Sequence, residues 1–517
     1  MADVRRTQGK RGRQRLVRAV GLGLIVFATA APVSAAGTAP YDPATDVNSM
    51  YSTAQYTGAT AWWSAGYTGK GIDVAVIDSG VTPVAGLDAP GKVVYGPDLS
   101  LESQTSNLTN LDTFGHGTFM AGLIAGHDAG LTAPYANAPA SAYRGIAPDA
   151  RIVSLKVATA DGGADVSQVI AAIDWVVQHA HDPGLNIRVI NLSYGTNSTQ
   201  SYGVDPLAYA VEQAWKHGIV VVAAAGNSGY QRGNNAPGLA DPAYDPFVLA
   251  AGASDSKGTS DTNDDGVASF SASSSGCGSC KNPDVLTPGA HLQGLRVPNS
   301  WIDANHPEGL IDQRYFRGSG TSEAAAILSG AVALVLQKYP TMSPDLVKRF
   351  FQTNAVKLAS FDTQAQGSGE IRLASMSTAT PQWSYTGQNF ANATGTGSLE
   401  LSRGQDHLTR DGVTLTGERD IFGRGFDASK LAQGEAAGST WSSGAWNGST
   451  WSGSTWSGST WSGSTWSSAS WSGSTWSGST WSGSTWSGST WSGSTWSGST
   501  WSGSTWSGST WSGSAWN

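Results

Sequence analysis

Cysteine is almost absent, with two residues among 517, and charge is sparse, at 13% Asp, Glu, Lys and Arg. Two cysteines fall short of the four ligands that a closed cysteine zinc site needs. So little charge excludes a coiled coil, whose heptads are charge-rich. No uncharged apolar run reaches the about 18 residues of a membrane-crossing helix, which excludes a multi-span membrane protein. Positive charge is scarcer than negative, 30 Lys and Arg against 38 Asp and Glu. Seven of the cations and one of the anions fall in the first 35 residues, so the remainder carries 23 positive and 37 negative groups, a net of −14. That acidity argues against nucleic acid or an anionic membrane as the main partner. At about 150 residues per domain, the length accommodates one large domain with appendages, or two or three small ones.

The two ends differ in composition from the middle. Arg5, Arg6, Lys10, Arg11, Arg13, Arg15 and Arg18 precede an uncharged apolar stretch, Ala19 to Val33, and then the small residues Ser34, Ala35 and Ala36. This is the layout of a secretory signal peptide (1–35) cut near Ala35 or Ala36, and it implies an extracellular product with no membrane contact after cleavage. A short segment, 36–45, follows. At the other end, 436–517, Trp recurs every five residues from Trp441 to Trp516, sixteen times, and no charge follows Glu435. Five helical residues turn about 500°, so these Trp would spiral without forming a face, and an odd period in a strand sends them to alternate sides. Three readings fit the repeat: a Gly/Ser-rich disordered tail, a square β-solenoid resembling the pentapeptide-repeat family, or a Trp-lined surface contacting cell-wall or other polysaccharides.

Between these ends, β-branched runs alternate with amphipathic ones. Strands are expected at Ile72–Asp78, Lys92–Tyr95, Arg151–Val157, Arg188–Ser193, Ile219–Ala224 and Phe247–Ala251. Helices are expected near His116–Ala125, Val166–Gln178, Pro206–His217, Thr321–Gln337 and Pro344–Asn354. The alternation predicts an α/β fold, a mostly parallel central sheet with helices on both faces. Ala324–Leu336 is apolar on nearly every side and predicts a buried central helix. Ligands of such sheets gather at the carboxyl ends of the strands.

Three polar motifs fall there. Ile77-Asp78-Ser79-Gly80 ends the first strand, Gly115-His116-Gly117-Thr118 opens one helix, and Gly318-Ser319-Gly320-Thr321-Ser322 opens the buried one. Acyl transfer needs a hydroxyl nucleophile, an imidazole to take its proton and a carboxylate to orient the imidazole. Ser322 at a helix N-terminus gains from the positive end of the helix dipole, and Asn227 ends another strand as an oxyanion donor.

With these blocks in order, the chain resembles the subtilisin family of serine proteases. The resemblance runs through Gly-Lys-Gly-Ile-Asp-Val-Ala-Val-Ile-Asp-Ser-Gly (69–80), His-Gly-Thr-Phe-Met-Ala-Gly (116–122), Val-Ile-Asn-Leu-Ser-Tyr-Gly (189–195), Ala-Ala-Gly-Asn-Ser-Gly (224–229) and Gly-Thr-Ser (320–322). It covers some 330 residues of a peptidase domain placed at 46–380. It implies an endopeptidase of broad specificity acting on protein or peptide substrates. Ser322 would be nucleophile, His116 base, Asp78 its orienting partner, and Asn227 with the Ser322 N–H the oxyanion hole. Substrate would lie as an added strand between Ser193-Tyr194-Gly195 and Gly162-Gly163. Ala225 and Gly226, in the small wall Ala223–Gly226, imply a roomy apolar primary pocket. The chemistry requires no cofactor.

The chain also departs from the family pattern. Glu323 follows the nucleophile where Met is usual, and Ala326 stands where Pro is usual. A carboxylate there predicts a shifted pH profile or slower turnover, and tolerance of peroxide. The short segment between the signal and the peptidase domain is too small for the family's inhibitory prodomain. Cys277 and Cys280 are expected to form a local disulfide in an exported chain. Asp261, Asn263 and Asp265, with Gly266 at six, resemble the start of a calcium loop, but Ala272 occupies the place of the bidentate Glu, so structural calcium and a solvated acidic turn both fit. A hairpin is expected in the connector 381–435, from Ser398–Leu401 and Gly412–Leu415. Two other functions compete with the protease reading: a weakly active or inactive homologue serving as a binding module, and a surface adhesin working through the Trp repeat.

Overall fold

The structure, a computed structural model, describes residues 41–450 except 104, 106, 231–237, 275–279, 411–412, 422 and 443–444, together with 490–491 and 510–511. The expected signal segment, residues 36–40 and Cys277 lie outside the described residues. So do most repeats past 450, and with them the choice among the three readings of the tail.

Short runs of Val, Ile and Ala, each too short for a helix of useful length, form the sheet. The strands are β1 Asp73–Asp78, β2 Val93–Asp98, β3 Arg151–Lys156, β4 Ile187–Leu192, β5 Val220–Ala224, β6 Leu249–Asp255, β7 Gly266–Val267 and β8 Val285–Pro288. Their order is β2-β3-β1-β4-β5-β6-β7, with β8 also on β6. All pairs are parallel except β6–β7. All six residues of β1 are buried, as expected of a strand covered on both faces. A separate antiparallel pair joins β9 Leu292–Leu295 to β10 Tyr315–Gly318.

The helices are α1 Met50–Thr57, α2 Ala59–Ser64, α3 His116–Ala125, α4 Val166–His179, α5 Pro206–Lys216, α6 Trp301–Asn305, α7 Thr321–Lys338 and α8 Pro344–Asn354. Four shorter ones follow: α9 Thr363–Gln366, α10 Leu373–Met376, α11 Leu399–Arg403 and α12 Ala428–Ala436. Helix α3 packs with α7 and α4 with α5, covering the two sides of the sheet. Every residue from Ala324 to Leu336 is buried, as the apolar run requires. Small residues let α7 approach closely: a Cβ on Gly330 would lie 2.7 Å from the Ile146 Cβ. Asp165 caps α4, accepting from the Ser167 N–H, in a capping box completed by Gln168.

The expected hairpin in the connector forms differently. Thr409–Arg410 pairs with Val413–Thr414, but Ser398–Leu401 is not a strand. Ser398 is the N-cap of α11, accepting from the Leu401 N–H at 3.1 Å. The alternation Ser-Leu-Glu-Leu-Ser suits either element, and long-range docking decides it. Arg403, at the end of α11, is buried with Asp165, Nε to Oδ2 at 2.6 Å. Leu399, Leu408, Leu415, Ile421, Phe426 and Leu431 all join the main apolar core. The connector is therefore part of the folded body, and so is the start of the repeat. Trp446 is buried and donates to Asp174 at 2.7 Å, and Trp441 donates to the Ala171 carbonyl at 2.8 Å.

Candidate active site

Parallel strands deliver their carboxyl ends to one edge, and Asp78 ends the interior strand β1 there. At the start of α3, Gly115 takes φ 106, a left-handed turn that suits glycine, and a Cβ there would come within 2.6 Å of Ser300 Oγ. His116, the first residue of the helix, faces Asp78: Nδ1 lies 2.8 Å from Oδ1 and 3.0 Å from Oδ2. In the neutral form of His116, with Nδ1–H held by the carboxylate, Nε2 carries the lone pair. Asp78 is itself fixed by the Ser79 N–H at 2.7 Å.

Behind this pair lies a residue that the sequence reading passed over. Asp112 is buried and accepts from Ser79 Oγ at 2.7 Å, from the Gly115 N–H at 2.6 Å and from the Thr118 N–H at 2.7 Å. It ties the β1 tip to the start of α3 and so holds Asp78 and His116 in register. No local pattern marks it, because the N-cap of α3 is Gly115 and Asp112 lies three residues further upstream.

Ser322 stands in the first turn of α7. Its N–H has no acceptor among the described residues, as expected of an early helical position. Asn227 Oδ1 accepts from the Thr321 N–H at 2.9 Å and from Thr321 Oγ1 at 3.0 Å, which turns its NH2 the other way. A Cβ placed on Gly320 would lie 3.5 Å from Asn227 Nδ2 and 3.6 Å from the Ser322 nitrogen, so the two donors converge on space that glycine keeps open. Ser322 Oγ donates to the Ser193 carbonyl at 3.5 Å, and among the described residues no hydrogen bond joins it to His116.

A profile described as the Subtilase family matches residues 69–396. The chain belongs to the subtilase family. Its class is thus that of the serine endopeptidases. Serine protease AprX of Bacillus subtilis (strain 168) is 34% identical over 307 residues, 59% of this subtilase and 65% of that protein. Subtilisin DY of Bacillus licheniformis is 32% identical over 309 residues, 60% of this chain and 91% of its own. Subtilisin Savinase of Lederbergia lenta is 30% identical over 313 residues, 60% and 93% respectively.

The subtilase's cleft has two sides. Gly162, Ser193 and Tyr194 flank Asp78 and His116, while Ser193, Tyr194, Gly195 and Gly226 line a cavity of about 390 Å³ beside Ser322 and Asn227. Two residues expected at the cleft point elsewhere. A Cβ on Gly163 would meet Leu408 at 2.8 Å, so this glycine serves the connector's packing. Ala225 is fully buried, its N–H bonded to Ala251 and its carbonyl to Ala240, and Ala224 lines the cavity in its place. Nor is the cavity simply apolar, since Asn197, Ser198 and Asp406 also line it.

Glu323 turns back beside His116. It is buried, and a Cβ on Gly320 would lie 2.7 Å from its Oε2; Gly318 leaves room in the same way. Burial raises its carboxyl above the usual range, opposed by His116 and reinforced by Asp78. Burial also works against the charged form of His116, but the charge and hydrogen bonds of Asp78, then Glu323 and Asp112, outweigh it and raise the imidazole to about 9.

The calcium expectation finds no assembled ligand set. Asp261 Oδ1 accepts from its neighbour Asn263 at 2.8 Å, and Asp265 pairs with Arg372 at 2.8 Å. Among the described residues no group of three or more His, Cys, Asp or Glu is placed to hold a metal ion. Cys280 is disulfide-bonded.

Proposed function

We propose that this subtilase is an exported endopeptidase in which Ser322 attacks the scissile carbonyl. Nε2 of His116 takes the Ser322 proton and later gives it to the leaving amine. Asp78 holds the imidazole in the tautomer that leaves Nε2 free and stabilises the imidazolium that forms. The Asn227 NH2 and the Ser322 N–H meet the oxyanion. Before attack, Ser322 Oγ turns from the Ser193 carbonyl towards His116, a side-chain rotation of the kind that substrate binding brings about. The N-terminal basic and apolar run directs export, and substrate lies extended against Ser193–Gly195.

The observation that carries this reading is the 2.8 Å His116–Asp78 pair facing the same cleft as a helix-start serine with two convergent donors. Fluorophosphonate labelling and casein cleavage test it. The wild type is expected to label and cleave, and Ser322→Ala to do neither. A wild type that folds yet neither labels nor cleaves would leave the inactive-homologue reading in its place.

A further inference from the structure

We infer that Asp406 makes the cavity beside Ser322 select a basic side chain, lysine or arginine, on the acyl side of the scissile bond. The inference rests on the proposed function, because it takes Ser322 and Asn227 as the groups that hold the reacting carbonyl. With the carbonyl carbon at Ser322 Oγ and its oxygen towards Asn227, the side chain of that residue extends into the cavity they share with Ser193 and Gly195. The cavity is roomy at about 390 Å³. Among the described residues lining it, Asp406 alone carries charge.

Asp406 does not come from the family domain, which ends at residue 396. It arrives on the connector, and the connector is held rigidly. Arg403 is buried against Asp165. The Ser402 carbonyl accepts from Thr196 Oγ1 at 2.5 Å, and Ser402 Oγ donates to Asp205 at 3.0 Å. Gly404 then turns with φ 61 and passes so close to Asn197 that a Cβ would lie 2.5 Å from its carbonyl carbon. Two residues later Asp406 reaches the rim. Its Oδ2 accepts from the Asn197 N–H at 3.0 Å, while Oδ1 has no hydrogen bond among the described residues. One oxygen thus fixes the carboxylate and the other is free for a ligand. A lysine or arginine stem would lie along Ala224, Gly226 and Ala240, with its cationic head at Oδ1. Because Asp406 is exposed, it gains from a cation without being penalised by an apolar side chain, so the preference is graded.

Matched peptide p-nitroanilides that differ only at the acyl-side residue (Lys, Arg, norleucine or Phe) test this against wild type, Asp406→Asn and Asp406→Lys. Wild type is expected to cleave the Lys peptide about three- to fivefold better in kcat/KM than its uncharged analogue norleucine, the size of an exposed charge-assisted contact. Asp406→Asn keeps the bond to Asn197 and is expected to abolish that ratio while leaving the Phe and norleucine values within about twofold. Asp406→Lys is expected to push the ratio below one. Equal cleavage of Lys and norleucine peptides by wild type overturns the inference and leaves the protease reading intact, as does a parallel loss on all four peptides in Asp406→Asn. A wild type that cleaves none of them and resists fluorophosphonate overturns both.

Discussion

Replacing Glu323 by Gln removes a charge from beside the His116 imidazole while keeping the side chain's volume in the space left by Gly318 and Gly320. His116 stands at about 9, so at pH 7 about 1% of it is in the neutral form that accepts a proton. Activity should therefore appear only as pH rises through that value. Glu323 contributes to the upward shift after Asp78, and a carboxylate neighbour typically moves a pKa by about 1–3 units. The lesser partner's share is then about one unit, or about 1.4 kcal/mol. Glu323→Gln should lower the acid limb of kcat/KM by about one unit and raise the rate at pH 7 by up to about tenfold, with little change on the alkaline plateau. The assay is kcat/KM for one chromogenic peptide from pH 5 to 10.5 at constant ionic strength. An acid limb within about 0.2 units of wild type would show that the charge does not reach His116, and would refute the reasoning.

Four further outcomes are expected. Asn227→Ala should lose about 10²–10³ in kcat with KM little changed, because the donor acts on the oxyanion and not on the bound substrate; steady-state kinetics reads the split. Wild type should keep its activity in hydrogen peroxide while Glu323→Met loses it, since the thioether beside the nucleophile oxidises. Arg403→Met leaves Asp165 buried without its cation and should cost about 3–5 kcal/mol in urea unfolding, with partial recovery in Arg403→Met/Asp165→Asn. Asp174, which accepts from Trp446, is raised to about 7 by burial. A carboxyl raised on folding favours the native state most when both states are protonated. Its contribution is lost as pH climbs from about 4 to about 7. The buried Glu435 carboxyl facing Asp174 is raised as well, so Asp174→Asn should lessen the fall in melting temperature over that window and Asp174→Asn/Glu435→Gln should flatten it.

The central sheet was readable because most of its strands are short runs rich in Val and Ile, and α3 and α8 coincide with the residues expected of them. Asp78, His116, Ser322 and Asn227 stand out in the sequence because each falls in a short polar motif at an expected strand tip or helix start, and parallel strands send such tips to one edge. What escaped depended on contacts across the chain. Ser398–Leu401 looked like a strand because nothing local reveals that Arg403 will find Asp165, 238 residues away. Asp112 and Asp406 each resemble an ordinary turn acid in sequence, and only the folded chain puts one behind the imidazole and the other at a cavity rim. The Trp period did not reveal that Trp441 and Trp446 are anchored on α4.

The buried guanidinium of Arg403 has a practical bearing on where this protein can be cut. A clone ending at the family boundary, residue 396, would strip the cap acid of α4 of its counter-ion, remove the serine shared by Asp205 and Asp241, and open the hydrophobic seam filled by Leu399 and Trp446. The smallest autonomous unit thus runs past the boundary that homology draws, at least to the second tryptophan of the repeat.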